Sequence, residues 1–240
     1  MNRTLILLFL FPFFPFLGYG QVLIGINGGF NFSTPLGNSN TNPHHDVDLS
    51  INKNGVLVSV FVKNRIPNKI VNIGGAAEYY NTVLTGNQQI GGGGGGTNYH
   101  YDFTLHFLNI MVKPEFVFGS KWRFIINSGA FLGILLHGNT TGVWQTYGFP
   151  PVTNGVINEN TNHYFNNLNF GFLGGIGTEC PITDRIIINL EANYTFGITN
   201  LAKSSLTKGV FNLLNAQLSV GLAYKFNWVK KTGKEKKKID

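Results

Sequence analysis

Nine ionisable side chains lie in segments whose residues alternate between polar and apolar. In these segments the ionisable residues share one set of alternate positions, and the apolar residues occupy the other. They are Lys63, Glu78, Lys113, Glu115, Arg123, Glu179, Arg185, Glu191 and Lys225. Five are basic and four are acidic, so their charges nearly balance. A buried charge is stable only when it is paired. The set therefore predicts an interior ionic network, and the alternative is a narrow ion path lined by the same groups.

Other chemistry-bearing residues form weaker patterns. One polar stretch contains His44, His45, Asp46 and Asp48. Histidine and aspartate are residue types that bind divalent metal ions. A solvated polar loop explains so generic a cluster better than a metal site does, so we expect neither a metal site nor a cofactor. No serine pairs with a histidine on one outward face, as a lipid-modifying hydrolase would require, so we expect no enzyme activity.

The segments that carry the charged residues alternate between apolar and polar residues with a period of two. From residue 185 to 198 the even positions are apolar, whereas most odd positions are polar, and the pattern recurs from 214 to 226. Strands of a soluble sheet average five or six residues. A strand that crosses an outer membrane needs about nine to eleven. The length and alternation of these runs favour strands with one face in lipid and one in a polar interior.

The same pattern predicts eight strands: 22–32, 55–63, 71–80, 104–118, 122–136, 167–180, 185–198 and 214–226. Their connections alternate in length. Short turns fall at 67–69, 119–121 and 183–184, and long polar loops fall at 33–54, 86–99, 138–162 and 202–211. A bacterial barrel has short periplasmic turns and long outer loops. Six consecutive glycines, Gly91–Gly96, are interpreted as a flexible loop tip, because no Gly-Lys-Ser/Thr follows them.

The two ends of the chain differ from the strand-rich middle. Residues 1–20 combine Arg3, an apolar run and small residues, which predicts a signal peptide cleaved near Gly20/Gln21. No later apolar run reaches eighteen residues. Much of the net charge of +7 lies in residues 227–240, which we interpret as a basic periplasmic tail. The charge of the folded part therefore gives no reason to expect nucleic-acid binding.

Several segments resemble the PorT-type outer-membrane β-barrel family of Bacteroidetes. The resemblance rests on residues 107–124, 129–136, 170–179, 191–200 and 218–226. It implies an eight-stranded barrel in the outer membrane, surrounded by outer-membrane lipid and inserted by the barrel-assembly machinery. Some members of that family assist protein secretion.

These observations predict an all-β fold, an eight-stranded antiparallel up-and-down transmembrane β-barrel spanning residues 21–226. An eight-stranded barrel is only wide enough for its own side chains to fill it. We therefore expect a plugged interior, a monomer, and a structural or interaction role through extracellular loops, with a periplasmic or extracellular protein partner. The alternatives are an accessory role in secretion, a narrow pore or a lipid-modifying enzyme.

Overall fold

The computed structural model describes residues 21–36, 48–66, 70–92, 94–148, 153–161, 164–203 and 210–227. The predicted signal peptide and the tail beyond Asn227 lie outside these residues. The strands are β1 (Gln21–Leu36), β2 (Asp48–Lys53), β3 (Gly55–Arg65), β4 (Val71–Gly92), β5 (Gly95–Phe118), β6 (Arg123–Tyr147), β7 (Asn154–Asn160), β8 (Leu168–Pro181), β9 (Ile186–Gly197) and β10 (Asn212–Asn227).

Eight of these strands close into a ring. The order around it is β1-β3-β4-β5-β6-β8-β9-β10, and β10 pairs with β1 again. Every pairing in the ring is antiparallel and joins strands that are neighbours in the chain, apart from the closing pair and the skipped β2 and β7. The predicted eight-stranded up-and-down barrel is confirmed.

The outer surface of the ring is apolar, because along each strand apolar side chains point outward and alternate with side chains that point into the lumen. On β9 the side chain of Leu190 is 46% exposed, whereas its neighbours Asn189 and Glu191 are each 1% exposed. On β10, Val220 is 56% exposed and Ser219 is 5% exposed. Water would favour the reverse arrangement, so this surface is built for a hydrocarbon surrounding.

Three strands continue far beyond the apolar band. β4, β5 and β6 have 22, 24 and 25 residues. The predicted loops 86–99 and 138–162 are therefore wrong over most of their length, because they are the upper parts of these strands together with β7. Outside lipid both faces of a strand are solvated, so its sequence loses the apolar/polar alternation that marks the lower parts.

The glycine run lies at the tip of the β4–β5 hairpin, as expected. Gly92 pairs with Gly95, and Gly91 pairs with Gly96. Gly91 has a φ of 140°, and a Cβ added there would lie 2.4 Å from the Cα of Gly96. This backbone conformation therefore requires glycine.

The opposite end of the barrel carries the short connections, at residues 66–70, 119–122 and 182–185. The first residue of β1, Gln21, and the last residue of β10, Asn227, lie at the same end. In bacterial barrels this end faces the periplasm. The described residues include no helix that is long and apolar enough to cross a membrane.

Candidate functional site

An ionic cluster lies in the periplasmic half of the lumen, beside a buried apolar cluster that includes Phe61, Met111 and Phe131. The Lys63 ammonium, which is fully buried, lies 2.7 Å from Glu191, 3.1 Å from Glu115 and 3.4 Å from Glu179. The three carboxylates come from β9, β5 and β8. Strand alternation points all of them into the lumen, and the closure of the ring brings them to one cation.

Two further cations complete the cluster. Lys113 Nζ lies 2.9 Å from Glu191 Oε2. Arg65 donates to Glu179 and lies 3.3 Å from Glu115 Oε2. Lys63, Lys113 and Arg65 therefore face three carboxylates, and their charges cancel. Arg65 has the same parity as Lys63 but lies two residues beyond the predicted end of that strand, so it was not among the predicted members.

The other predicted members lie at the edge of this cluster or outside it. Glu78 is buried and accepts a hydrogen bond from Gln217 Nε2 at 2.6 Å. Arg123 is at the edge, 3.9 Å from Glu179. Lys225 is half-buried at the periplasmic mouth and makes no ion pair within the described residues. The prediction that Arg185 belongs to the interior network is wrong, because β9 begins one residue later and Arg185 is exposed. Arg185 donates to the Tyr224 hydroxyl at 3.1 Å.

Carboxamides and hydroxyls pair across much of the remaining polar interior. Asn189 donates to Asn27 at 2.8 Å, and Ser33 donates to Asn215 at 2.6 Å. Asn215 in turn donates to the Thr195 hydroxyl at 2.9 Å. Such pairs offset the cost of removing these groups from water.

An apolar cluster lies in the outer half of the lumen. Its members are Leu57, Tyr80, Leu84, Phe103, Leu105, Phe107, Leu135, Phe165, Leu201, Ala202, Phe211 and Leu213. Phe165 comes from the connection between β7 and β8 and forms a bridge with Ala202 from the connection between β9 and β10. Its ring lies 5.8 Å from that of Phe103 and 6.4 Å from that of Phe211. Two outer connections thus fold back over the mouth of the ring.

Beyond the mouth stands a five-stranded sheet, which we call the extracellular sheet. It consists of β2, the upper parts of β4, β5 and β6, and β7. Its inner face carries an aromatic row, with 5.8 Å between the rings of Tyr99 and Tyr101. Burial raises the pKa of the Tyr101 phenol to about 12, so it stays a neutral donor, and it lies 3.4 Å from Gln88 Oε1.

The outer face of the extracellular sheet carries an open pocket of about 470 Å³. We call it the amide pocket. It is lined by Asn87, Gln88, Gln89, Asn98, Tyr99, His100, Val143, Trp144 and Gln145. By alternation, Asn87, His100 and Val143 form one row of outer-face side chains in the strand register, and Gln89, Asn98 and Gln145 form another. His100 Nδ1 donates to Asn87 Oδ1 at 2.7 Å.

A family model described as "Outer membrane protein beta-barrel domain" matches residues 14–203, which is most of the chain. The chain belongs to this family. It is a small outer-membrane β-barrel protein, and its location in the outer membrane agrees with its apolar outer surface. No curated protein matches the chain.

Several solved barrels are similar to this outer-membrane β-barrel protein. The attachment invasion locus protein Ail of Yersinia pestis is 12% identical, with 87% of this chain and 99% of that chain covered and a TM-score of 0.40. Neisserial surface protein A is 14% identical, with 86% and 99% covered and a TM-score of 0.43. OprG of Pseudomonas aeruginosa is 11% identical, with 87% and 97% covered and a TM-score of 0.48.

Two histidines face outward near the upper edge of the apolar band of this outer-membrane β-barrel. His106 and His137 have ring centroids 6.1 Å apart, and the Tyr79 hydroxyl shares a hydrogen bond of 2.7 Å with His106 Nδ1. Within the described residues neither histidine contacts a serine hydroxyl, so this arrangement lacks the nucleophile of a lipid hydrolase.

The weak metal candidates are not brought together by the described part of the outer-membrane β-barrel domain. His44, His45 and Asp46 lie outside the described residues, and only the backbone of Asp48, at the start of β2, is described. Among the described side chains no three His, Cys, Asp or Glu residues are grouped so that they could hold a metal ion.

Proposed function

We propose that this protein is a sealed barrel that anchors the extracellular sheet in the outer membrane and presents it for binding at the cell surface. In this proposal it is neither a pore nor an enzyme. The observation that carries the proposal is a contrast between the two halves of the structure. The lumen is filled by buried side chains, whereas the longest strands continue into a sheet outside the membrane.

The proposed seal is supported at two levels. The cluster around Lys63 is buried, with Glu115 at 0% and Glu179 at 1% exposure. Nearer the outer mouth, Phe103, Phe107 and Phe165 are at most 2% exposed. An ion crossing this lumen would have to break paired charges and then pass an apolar layer, and both steps are costly. The lumen of an eight-stranded barrel is narrow enough for such a filling to close it.

The proposed binding role is supported by the cost of building the extracellular sheet. The extracellular sheet contains about ten residues of each of β4, β5 and β6. These residues take no part in closing the ring. Ordering each residue costs about 1–2 kcal/mol of conformational entropy. An ordered structure of this size outside the membrane is best explained by the surface that it presents.

Cysteine labelling on intact cells tests the proposal. The chain has one cysteine, Cys180, which is first replaced by alanine. In this background Gln145→Cys places a thiol on the extracellular sheet, and Asp184→Cys places one in an exposed short turn. A membrane-impermeant maleimide should label Gln145→Cys on whole cells and Asp184→Cys only after the cells are broken. Labelling of Asp184→Cys alone on whole cells would reverse the orientation and overturn the proposal.

An accessory role in protein secretion is the second candidate. Some members of the PorT-type family, which parts of this sequence resemble, have such a role. One feature of this chain favours it: six lysines follow β10 within residues 230–238. β10 ends at the periplasmic end of the ring, so these charges could meet an acidic periplasmic partner. Removal of residues 228–240 should then reduce secretion without reducing the amount of barrel in the membrane. Unchanged secretion would rule this candidate out.

A further inference from the structure

We propose that the amide pocket binds the uncharged sugar units of the glycolipid headgroups that surround the barrel in the outer leaflet. This inference rests on the proposed function, because it names the ligand class of the sheet that the barrel presents. It follows from three observations: which face of the sheet bears the pocket, which functional groups line it, and which charges it lacks.

The face is fixed by the continuous alternation of β5. Val112, Ile110 and Leu108 point into lipid, and the even positions above them reach His100 and Asn98 without a change of parity. On β4 the odd positions from Val71 to Gln89 point to this same side of the sheet. The amide pocket therefore lies on the same side of the sheet as the lipid-facing surface, directly above the leaflet. It does not face the axis of the barrel.

The functional groups suit sugar hydroxyls. Five Asn and Gln residues line the pocket, and by alternation four of them, Asn87, Gln89, Asn98 and Gln145, point their carboxamides to its face of the sheet. A carboxamide offers a donor and an acceptor in one plane, and two adjacent hydroxyls of a sugar offer the complementary pair. Val143 in the pocket is 55% exposed, and Val156, paired with it on β7, is 81% exposed. These two apolar side chains could cover the C–H face of a sugar ring.

The pocket lacks charge of either sign. Its lining contains no Lys, Arg, Asp or Glu. Phosphate and carboxylate groups are recognised by cations, most often arginine. An uncharged hydroxylated ligand needs no such partner, so this lining discriminates between the neutral sugars of a headgroup and its phosphates.

Strand β4 provides a matched pair of variants. Gln88 and Gln89 are chemically identical neighbours, and both are among the residues that line the pocket. By alternation their side chains lie on opposite faces of the sheet, and the Gln88 carboxamide accepts from the Tyr101 hydroxyl on the inner face, so only the Gln89 carboxamide faces the pocket. Gln89→Leu and the double variant Asn98→Leu/Gln145→Leu remove pocket carboxamides. Gln88→Leu removes the same group from the inner face and serves as the control.

The experiment uses the full-length protein in phosphatidylcholine nanodiscs, and folding of every variant is checked by heat-modifiable gel migration. The probe is the saccharide released from lipopolysaccharide of the host strain, deacylated and dephosphorylated. The double variant should weaken binding at least tenfold, whereas Gln88→Leu should change it less than twofold. Equal losses in the two variants, or unchanged binding in the double variant, would overturn the proposal.

Two further arms test the ligand class and its source. Binding that requires the phosphorylated saccharide would contradict the uncharged ligand. Equal binding of dextran oligosaccharides would contradict the assignment to headgroups, because it would point to a soluble glycan. Absence of saccharide binding by a protein whose extracellular sheet is labelled on whole cells would refute this inference and leave the proposed function standing.

Discussion

The Lys63 ammonium on β3 lies 2.7 Å from a carboxylate oxygen of Glu191 on β9, three strands away around the ring. Lys63 also reaches Glu179 on β8, which lies half-way around the ring from β3. These ion pairs cross the lumen and do not link adjacent strands. They hold opposite walls of the barrel together and fix the closure of β1 on β10.

Lys63→Met should strongly destabilise the barrel, because three buried carboxylates would lose their common partner. Loss of one partner of a buried ion pair costs about 3–5 kcal/mol. Urea unfolding in lipid vesicles, followed by tryptophan fluorescence, measures the change. Arg185→Met is the matched control, since Arg185 is an exposed cation outside the cluster, and it should have little effect. A small loss in Lys63→Met would show that the cluster does not stabilise the fold.

Neutralising a carboxylate should partly rescue that variant. In Lys63→Met/Glu179→Gln one buried negative charge is removed together with the cation, while Arg65 keeps Glu115 and Lys113 keeps Glu191, so less charge is left unpaired. The double variant should be more stable than Lys63→Met alone in the same unfolding assay. If the two losses simply add, Lys63 and Glu179 are not coupled across the lumen.

Leu190→Arg should cost about 2–4 kcal/mol, since it would place a charge in lipid near the middle of the apolar band. Val156→Arg introduces the same charge on the exposed face of β7, outside the band, and should be nearly neutral. Refolding both variants into vesicles of one lipid gives the comparison. Similar costs at the two positions would contradict the assignment of the lipid-facing surface.

Phe165→Ala should loosen the outer mouth of the barrel. The Phe165 ring is fully buried against Phe103 and Phe211, and truncation of a buried phenylalanine costs about 3–5 kcal/mol. Faster proteolytic cleavage within residues 198–211 is expected, with the ring of strands intact. Val156→Ala, on an exposed side chain, should leave the cleavage rate unchanged. Equal cleavage rates in all three proteins would mean that Phe165 does not hold these connections.

The upper β4–β5 hairpin should be dispensable for folding. Asn87 and His100 are paired, so a two-residue Asn-Gly turn can replace residues 88–99. Heat-modifiable migration should show a normally folded barrel. As a control, deletion of the paired residues Ala77 and Ile110 exchanges the lipid and lumen faces above that point and should prevent folding. Misfolding of the hairpin replacement would show that the extracellular sheet is needed for closure.

The sequence predicted the ring well because lipid imposes strict alternation. Leu190 and Val220 must be apolar, and their neighbours need not be. Above the band this constraint ends, so the upper parts of β4, β5 and β6 were interpreted as loops. The same limit explains why β7 was missed.

The membership of the ionic cluster depends on the ring and cannot be read from one strand. Lys63, Glu115 and Glu179 meet because the barrel closes, and their sequence separation carries no sign of the contact. Parity identified most of the inward charges, including Lys113 and Glu191. It failed at Arg185, where one residue decides between turn and strand, and at Arg65, where the predicted strand ended two residues early.

The proposal that the barrel is sealed can be tested by measuring ion conductance across a planar bilayer. The purified protein, reconstituted in concentrated KCl, should give no stepwise current, because paired charges and an apolar layer fill its lumen. Reproducible current steps whose ion selectivity changes in Lys63→Met would contradict the claim, since they would place the cluster in the wall of an open path.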